Sequence, residues 1–569
     1  MCRLPPAFGV GTALAKLYTM VKPCLEPKSS SAPRGSFIIR QAGPEDAAQW
    51  LELVRVNLGD NYPAREVYDL RWIAAQLDAH CGEETWVAEY GGRILASASF
   101  LRPADANNNP VSNIGRNLNR EEAYFCGAAE ALICEVTQQA QHLNQMAVVR
   151  VPATDSRQQL IYEKMGYVCV GYQPCKHILR SRQGILFYVR PAAPVLGTRM
   201  PLSESLPQIS ELATRVLSNL NIPTPISVRD GATGYPLQTE LDVQQATAED
   251  FEVWRAQAQL NNPPAEVSSG FNRNLGLLRI ENPDAPVQFL LGLLNSQIVC
   301  GMSYIFDPHD KCVRVLECFT TNDYSLGHLL NHLTKLSANS LSAAYIEIDV
   351  LMSAPRLLKT AEQLGFVPVA YLPAFFLHND HHHDVVKMVK LNLVYNVESQ
   401  GMTAGASATI KIVDQNLQDQ KVGIAVINLL RSLPLFEGLG DGELRKVARL
   451  FKQKLYQPGE VVFKKADPGS EAYIVMRGQV DICLEESPRP IATVSNGQIF
   501  GELAFLDGSP RAARAVSKQP SIILVMERPS FTQLVQREPH LGLVVVRNLA
   551  EDLSNKLRRT NVAHSAAIR

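Results

Sequence analysis

The sequence predicts an α/β plus all-β protein: two tandem α/β domains, then a β module with flanking helices. Two observations predict the tandem. The segment Ile39-Arg40-Gln41-Ala42-Gly43-Pro44-Glu45-Asp46, ahead of Trp50, returns as Val243-Gln244-Gln245-Ala246-Thr247-Ala248-Glu249-Asp250, ahead of Trp254, displaced by 204 positions (39 to 243). Further on, Gly166-Tyr167-Val168-Cys169-Val170-Gly171-Tyr172-Gln173-Pro174 returns as Gly365-Phe366-Val367-Pro368-Val369-Ala370-Tyr371-Leu372-Pro373, displaced by 199 (166 to 365). Landmarks matched in one order and at nearly one offset mark copies of ~150 residues each. The β module is announced from about residue 430 onward. There Gly459, Gly469 and Gly478 punctuate short runs, and Val480, Ile482 and Leu484 alternate with Gln479, Asp481 and Cys483 as a half-buried strand does.

Within each copy the elements follow in order. A short strand leads through Pro44-Glu45-Asp46 or Ala248-Glu249-Asp250 into a helix that the Asp, or the residue before the acidic pair, can cap. Two strands follow at 85–90 and 94–100, joined by Gly91-Gly92, a dipeptide suited to a tight hairpin. The second copy has its pair at 287–293 and 298–306 around Asn295-Ser296. A long helix then spans 131–143 or 329–341, and a buried strand 147–151 or 345–350. Another helix, a glycine and a terminal hairpin complete each copy.

The connecting segments have their own compositions. Residues 1–36 are basic, contain Cys2 and Cys24, and read as a flexible leader; a targeting peptide, with a short amphipathic helix over 14–21, is the alternative. Residues 191–240 place Pro191, Pro194, Pro201, Pro207, Pro223 and Pro225 around one amphipathic helix, 206–220, long enough to pack across both copies. Residues 396–420 are rich in Gly, Ala, Ser and Gln and read as a flexible linker. The domains are thus 37–190, 241–395 and 421–560. In the last hairpin of the second copy, His378, His381, His382 and His383 crowd beside Asp380 and Asp384. Clustered His and Asp can hold a metal. Adjacent tip residues do not readily converge on one ion, so a solvated tip with no metal is expected.

The run Leu160-Ile161-Tyr162-Glu163-Lys164-Met165-Gly166-Tyr167 sits in the order strand–helix–hairpin–strand–helix–strand–helix–strand. Together they resemble the GNAT acyltransferases and their L-Y-E-K-x-G-F signature. Thr360-Ala361-Glu362-Gln363-Leu364-Gly365-Phe366 aligns with the same signature, and the resemblance covers about 37–190 and 241–393. It implies transfer of an acetyl group from acetyl-CoA to an amine. A carboxylate takes the amine proton, backbone N–H groups hold the pyrophosphate and the carbonyl oxygen, and a tyrosine protonates the departing thiolate. On that resemblance Tyr162 is the candidate acid, while its counterpart Ala361 has no proton to give, so the first copy is the better candidate for catalysis. Glu122 is the candidate base, with Glu317 at the equivalent strand position. Gly127 and Ala129 match the cofactor loop that precedes the long helix, although Tyr124 stands where a basic residue is usual. In the second copy Asn322-Asp323-Tyr324-Ser325-Leu326-Gly327 keeps only the last glycine, and Asp323 would repel a pyrophosphate.

The segment from Phe500 to Arg514 sets one carboxylate, one guanidinium and small residues across a tight turn. Gly501, Ala512 and Ala513 let backbone N–H groups approach a cyclic phosphate closely. Arg511 is a planar bidentate donor for its oxygens. Glu502 can accept from a ribose 2'-hydroxyl, and Leu503 opens a short helical turn, 503–506, with its N-terminus toward the phosphate. With its surroundings, roughly 430–558, this segment resembles the phosphate-binding cassette of the cyclic-nucleotide-binding family, which includes the catabolite activator protein and the kinase A regulatory subunits. The resemblance implies a β jelly roll. Arg514 departs from it, standing where Thr or Ser is frequent. In related domains that select cyclic GMP, a hydroxyl residue often follows the cassette arginine; here Ala512 does, so cyclic AMP is the expected ligand over cyclic GMP.

Composition narrows the functions further. The 569 residues carry a net charge of −1, from 55 basic and 56 acidic residues, so no global field favours nucleic acid or membrane. No apolar run approaches the ~18 residues of a spanning helix. Eleven scattered cysteines without a C-x-x-C pair fit reduced thiols in a cytoplasmic protein. A DNA-binding regulator is not expected: only about ten residues follow a helix expected to end near Leu557, too few for a helix-turn-helix, and no basic recognition helix is present. A kinase regulatory subunit would need a pseudosubstrate-like basic segment ahead of residue 421, and none is seen. Two functions remain. One is a cyclic-AMP-regulated acetyltransferase that uses acetyl-CoA on an unknown amine or protein acceptor. The other is a non-catalytic sensor or scaffold with degenerate α/β copies. A stripe of Val546, Leu549, Leu553 and Leu557 either pairs with a partner or covers the nucleotide pocket.

Overall fold

The computed structural model describes residues 37–567 apart from 61, 63–64, 79–82, 102–110, 143–145, 179–181, 201–203, 224–226, 229–232, 262–285, 379, 394–401, 423 and 485–489. The expectations for the leader and for Leu143 lie outside these residues. The chain divides into two compact units, 1–414 and 415–569.

In the first unit the first copy runs β1 (Ile38–Gln41), α1 (Ala47–Leu58), α2 (Leu70–Leu77), β2 (Glu83–Tyr90), β3 (Arg93–Leu101), β4 (Val111–Asn119), α3 (Glu121–Phe125), α4 (Ala128–His142), β5 (Met146–Pro152), α5 (Ser156–Lys164), β6 (Val168–Ile178) and β7 (Arg182–Arg190). The connection holds α6 (Ala193–Gly197), β8 (Glu204–Ser205), α7 (Pro207–Asn219) and β9 (Ser227–Val228). The second copy repeats the strand order with β10 (Asp242–Ala246), α8 (Ala248–Asn261), β11 (Val287–Leu294), β12 (Gln297–Asp307), β13 (Cys312–Thr320), α9 (Ser325–Asn339), β14 (Tyr345–Leu351), α10 (Pro355–Gln363), β15 (Val367–His378) and β16 (His381–Leu391). Their strands join in one 14-stranded sheet, ordered β1-β2-β3-β4-β5-β7-β6-β15-β16-β14-β13-β12-β11-β10. The order mirrors itself about a seam between β6 and β15, where Gly171 faces Ala370.

Local chemistry explains the repeats. Gly91 and Gly92 take φ of 58° and 76°, and Asn295 and Ser296 take 49° and 62°. Both central residues at positive φ make the hairpin turn that follows strand twist. The Asp46 carboxylate accepts from Gly43 N–H at 3.0 Å and from Arg40 at 2.7 and 2.8 Å, fixing the entry to α1. In the second copy Thr247 Oγ1 accepts from Asp250 N–H at 3.1 Å. Each copy also bulges opposite its hairpin: Ser97 pairs with Leu118 but Ser99 with Gly115, and Ser303 pairs with Glu317 but Tyr304 with Val315. The central parallel pairing is short, 111–114 with 146–149 and 312–314 with 345–347.

Two features bind the copies. Helix α7 presents Ile209, Leu212, Ala213, Val216 and Leu217 at helical spacing to a core that includes Val170 of β6 and Ala370 of β15. At the seam, Glu347 of β14 is 2% exposed and accepts from Gln173 at 2.7 Å and Lys176 at 3.0 Å, both of β6, as well as from Arg314. Burial alone would raise this carboxyl, but Lys176, Arg314 and Lys387 together hold it well below the usual carboxylate range.

Several expectations are corrected. Part of the 396–420 segment is not a flexible linker: residues 404–422 form α11 (Ala404–Val422). Thr403 Oγ1 accepts from Ala406 N–H at 3.2 Å and donates to Glu163 at 2.5 Å, while Ala406, Thr409, Ile410 and Val413 make a buried stripe. Cap and stripe override the Gly and Ser content. Glu122 and Tyr124 do not lie on a strand running into the long helix but in α3. The His-rich hairpin is not solvated throughout. His382 is buried and meets Thr198 Oγ1 at 2.6 Å, and buried Asp384 accepts from Arg199 at 2.5 Å and from Tyr371. The connection between the copies supplies Thr198 and Arg199, and β15 supplies Tyr371.

The second unit opens with α12 (Ile424–Ser432) and α13 (Asp441–Ala448). Then come β17 (Phe451–Tyr456), β18 (Val461–Phe463), β19 (Glu471–Arg477), β20 (Gln479–Cys483), β21 (Ala492–Ser495), β22 (Ile499–Phe500), α14 (Glu502–Asp507), β23 (Arg514–Ser517), β24 (Ser521–Glu527), α15 (Arg528–Arg537) and α16 (Pro539–Ala567). Two four-stranded sheets, β17-β24-β19-β22 and β18-β23-β20-β21, enclose Val475 and Ile523 from one and Val480 and Ala515 from the other. The alternation expected in β20 fails at its end, where Cys483 is buried and Leu484 exposed. A helical core of Leu430, Phe436, Leu444, Phe531, Leu541 and Leu549 packs beside β24 through Leu524. Asn548 ties α16 to the carbonyls of Leu435 and Glu437 at 3.1 and 2.9 Å. Helix α16 runs to Ala567, ten residues beyond the end expected near Leu557.

Candidate functional site

The segment 499–514 is shaped by close backbone approach. Gly501 takes φ 73°, and a Cβ there would fall 2.8 Å from Arg511 Nη1 and 3.0 Å from the Tyr473 ring. Gly469 lets the neighbouring loop reach α14, since its Cβ would meet that of Ala504 at 2.2 Å. The loop then turns through Gly508, at φ 76°, and carries Arg511 back beneath it.

Arg511 is 3% exposed. Its guanidinium donates to the carbonyls of Gly501 and Glu471, both at 2.9 Å, and to the Glu471 carboxylate at 3.3 Å. It lies over the rings of Phe463 at 4.4 Å and Tyr473 at 5.3 Å. Its Nε is buried without a hydrogen-bond partner. A buried donor so placed is costly unless something accepts from it. Glu502, 8% exposed at the start of α14, accepts from Lys556 Nζ of α16 at 2.8 Å. Leu503 and Ala512 are exposed and Ala513 half-buried, so the loop offers backbone to solvent. Arg514 is exposed at the head of β23. The segment therefore brings Gly501, Glu502 and Arg511 onto one turn. Glu471, Phe463, Tyr473 and Lys556 were not picked from the sequence. The first three come from strands or turns without a local motif, and Lys556 lies 54 positions from Glu502.

In the first copy the other candidates separate. Tyr162 is fully buried; its hydroxyl accepts from Asn117 Nδ2 at 2.7 Å, beside the β4 bulge, and its ring meets Tyr167 edge-on at 5.1 Å. Burial foremost, then Tyr167, pushes this phenol well above its ordinary range, although the Asn117 bond pulls the other way. Glu122 is 60% exposed on α3 and faces Arg93 at 3.7 Å. Gly127 takes φ 81° ahead of α4 with no atom within 4 Å of the Cβ it lacks, and Ala129 is buried in the first turn. Asn117 was missed because no motif marks an asparagine in a bulge.

Residues 453–538 match the sequence model of the family described as "Cyclic nucleotide-binding domain". The chain is 31% identical over 136 residues to the cyclic AMP receptor protein of Thermus thermophilus, covering 23% of this chain and 61% of that protein. It is 32% identical over 108 residues to the cAMP-dependent protein kinase regulatory subunit of Pyricularia oryzae, covering 19% and 28%. It is 25% identical over 161 residues to the cGMP-dependent protein kinase egl-4 of Caenorhabditis briggsae, covering 26% and 22%. The chain thus spans less than two thirds of each of these relatives. It carries, in its second unit, a cyclic nucleotide-binding domain of β jelly-roll fold. Among the described residues no helix is long and apolar enough to cross a membrane.

Proposed function

We propose that the C-terminal domain binds cyclic AMP through Glu502 and Arg511, with Gly501, Leu503, Ala512 and Ala513 forming the rest of the cradle. We propose further that the ligand regulates a GNAT-type acetyltransferase in the first α/β copy, acting in the cytoplasm on an amine or protein acceptor. The observation that carries the nucleotide site is the buried Arg511 Nε with no acceptor. An anionic phosphate oxygen is the acceptor that suits a desolvated guanidinium. Acetyl transfer is supported by the place of Tyr162 in a run similar to the L-Y-E-K-x-G-F signature and by the open backbone at Gly127, which would meet the acetyl-CoA pyrophosphate. A second reading, a nucleotide-responsive scaffold without catalysis, draws support from Glu122, which faces solvent and Arg93.

Calorimetry of the whole chain with cyclic AMP, cyclic GMP and acetyl-CoA, singly and together, separates these readings. Cyclic AMP should bind more tightly than cyclic GMP. Arg511→Ala should weaken it by about one to two decades, the equivalent of a charge-assisted hydrogen bond of about 1.5–3 kcal/mol. Unchanged affinity in that variant would sink the site. Acetyl-CoA that fails to bind at millimolar concentration would leave the scaffold.

A further inference from the structure

We propose that Asn117 positions both ends of the acetyl transfer: its Nδ2 holds the oxygen of Tyr162, and its Oδ1 receives an N–H of the amine acceptor. The proposal rests on the reading of the first α/β copy as an acetyltransferase. Its basis is one amide whose two ends differ. Asn117 Nδ2 donates to the Tyr162 hydroxyl oxygen at 2.7 Å. That bond uses a lone pair and leaves the O–H hydrogen of Tyr162 to be given elsewhere. Asn117 Oδ1 is buried and has no hydrogen-bond partner among the described residues. A buried acceptor of that kind is costly unless a donor comes to it, and an amine brings N–H groups.

The β4 bulge aims this side chain. Arg116 and Asn117 stand there between the pairs Ser99–Gly115 and Ser97–Leu118. Arg116 takes φ 51°, in the left-handed region that a bulky residue seldom adopts. Its partners hold it so. The side chain is 1% exposed and donates to Gln76 Oε1 at 2.8 Å, and the carbonyl accepts from Ser97 Oγ at 3.1 Å. Backbone strain that its surroundings enforce is characteristic of functional positions. The second copy serves as the control. Its bulge sets Glu317 opposite Ser303 where the first sets Leu118 opposite Ser97, so Leu316 stands at the place of Asn117, 199 positions on (117 to 316). The same displacement sets Ala361 at the place of Tyr162 (162 to 361). Leu316 is buried, and no residue from Arg314 to Glu317 takes positive φ. The copy with the phenol has the amide and the strained bulge; the copy without it has a leucine and a relaxed one.

In the transfer, the amine nitrogen bonds to the acetyl carbon as the carbon–sulfur bond breaks. Sulfur leaves with the electron pair of that bond and takes the Tyr162 proton. Negative charge then grows on the phenol oxygen, where Asn117 Nδ2 already donates. A hydrogen bond to a charged acceptor is stronger than one to a neutral acceptor, so this contact stabilises the transition state more than the ground state. The surplus proton of the nitrogen passes to water, and water returns one to Tyr162. Burial pushes the phenol well up, and the Asn117 bond opposes that push.

The test is steady-state acetylation by the full chain, beside calorimetry of acetyl-CoA. The probe acceptor is a short peptide with a free N-terminus and one lysine. Asn117→Leu, the residue of the second copy, loses both contacts: kcat should fall about 10-fold and KM for the peptide rise about 3–10-fold. Asn117→Asp keeps an oxygen for the amine but turns an acceptor toward Tyr162. Its kcat should fall about 100-fold, as far as in Tyr162→Phe, with peptide KM no higher than wild type. In a Tyr162→Phe background, Asn117→Leu should lower kcat by less than about 2-fold, because the two side chains act as a unit. Acetyl-CoA affinity should stay within about 2-fold throughout. Additive losses, or an unchanged kcat in Asn117→Leu, in a wild type that transfers acetyl groups would overturn the positioning role and leave the acetyltransferase standing. An unchanged peptide KM in Asn117→Leu would overturn the amine contact. A wild type that transfers nothing to the peptide brings both readings down together.

Discussion

The two α/β copies share strand order, hairpin turns and the bulge in the fourth strand, yet they treat the start of their long helix in opposite ways. In the first, Gly127 stands clear of other atoms. In the second, Gly327 lies in the first turn of α9, and a Cβ there would meet the Pro236 carbonyl at 2.5 Å and Tyr235 Cβ at 2.8 Å. The connection between the copies fills that place. Tyr235 N–H donates to Thr360 Oγ1 at 2.7 Å, and its ring carries the Arg356 guanidinium at 4.2 Å. Arg356 in turn pairs with Asp323 at 2.7 Å. The residue next to Thr360 is Ala361, where the first copy has Tyr162. A duplicated fold can thus use one copy as a wall and keep the other open; the sealed copy has Ala361 where the first has Tyr162, and the 235–236 segment as a plug.

The largest effect should come from the charge that only the second copy supplies. Its Glu347 occupies the strand position held in the first copy by Val148, which is equally buried. Glu347→Val would leave Lys176 and Arg314 buried without their counter-charge, and should cost about 3–5 kcal/mol. Denaturant unfolding of the first unit would register it, and a cost below about 1 kcal/mol would break the asymmetry. The sign with pH follows. The folded carboxyl titrates below the unfolded one, so its contribution is complete above about pH 4.5 and drains away as pH falls toward the folded value. The variant should lose that acid-sensitive part of its stability.

Tyr162→Phe should lower acetyl transfer about 100-fold, within the range of a general acid, while acetyl-CoA affinity stays nearly constant. Turnover measured beside calorimetry checks both halves; a fall in affinity with unchanged turnover would recast Tyr162 as packing. The smallest effects separate the two glycines. Gly327→Ala should cost about 1–3 kcal/mol of stability by pressing on the Tyr235-Pro236 backbone, and leave acetyl-CoA binding alone. Gly127→Ala should cost about 1 kcal/mol, through its positive φ, and weaken acetyl-CoA. Thermal unfolding with and without acetyl-CoA distinguishes them, and equal behaviour would erase the difference between open and plugged copies.

Much of this was written locally. Gly91-Gly92 and Asn295-Ser296 encode positive φ in two adjacent residues, and the apolar spacing of α7 encodes a helix with one wet face. Gly501, Glu502 and Arg511 lie within eleven positions, so their meeting needed only one turn. What escaped depends on distant partners. The Gly and Ser content of 404–422 signals a linker until Glu163, 240 positions away, fixes Thr403 as a cap. The His-rich tip looks wet until Thr198 and Arg199 arrive from the preceding connection. Glu122 follows β4 so closely that the short turn of α3 leaves no trace in the pattern.

The seam between β6 and β15 has a consequence for how the protein can be dissected. Among the described residues, backbone pairing across it is confined to Gly171 and Ala370, and a Cβ on Gly171 would strike Ala370 at 2.1 Å. Closure is completed by side chains, among them His177 to Asp310 at 2.7 Å and Lys176 to Glu347. Cut between the copies and each fragment acquires a naked flank: unpaired amides and carbonyls on β6 or β15, beside stranded charges. Such a rim invites strangers to add a strand. Each half therefore acts as the other's guard against aggregation, and the smallest sound piece for expression contains both.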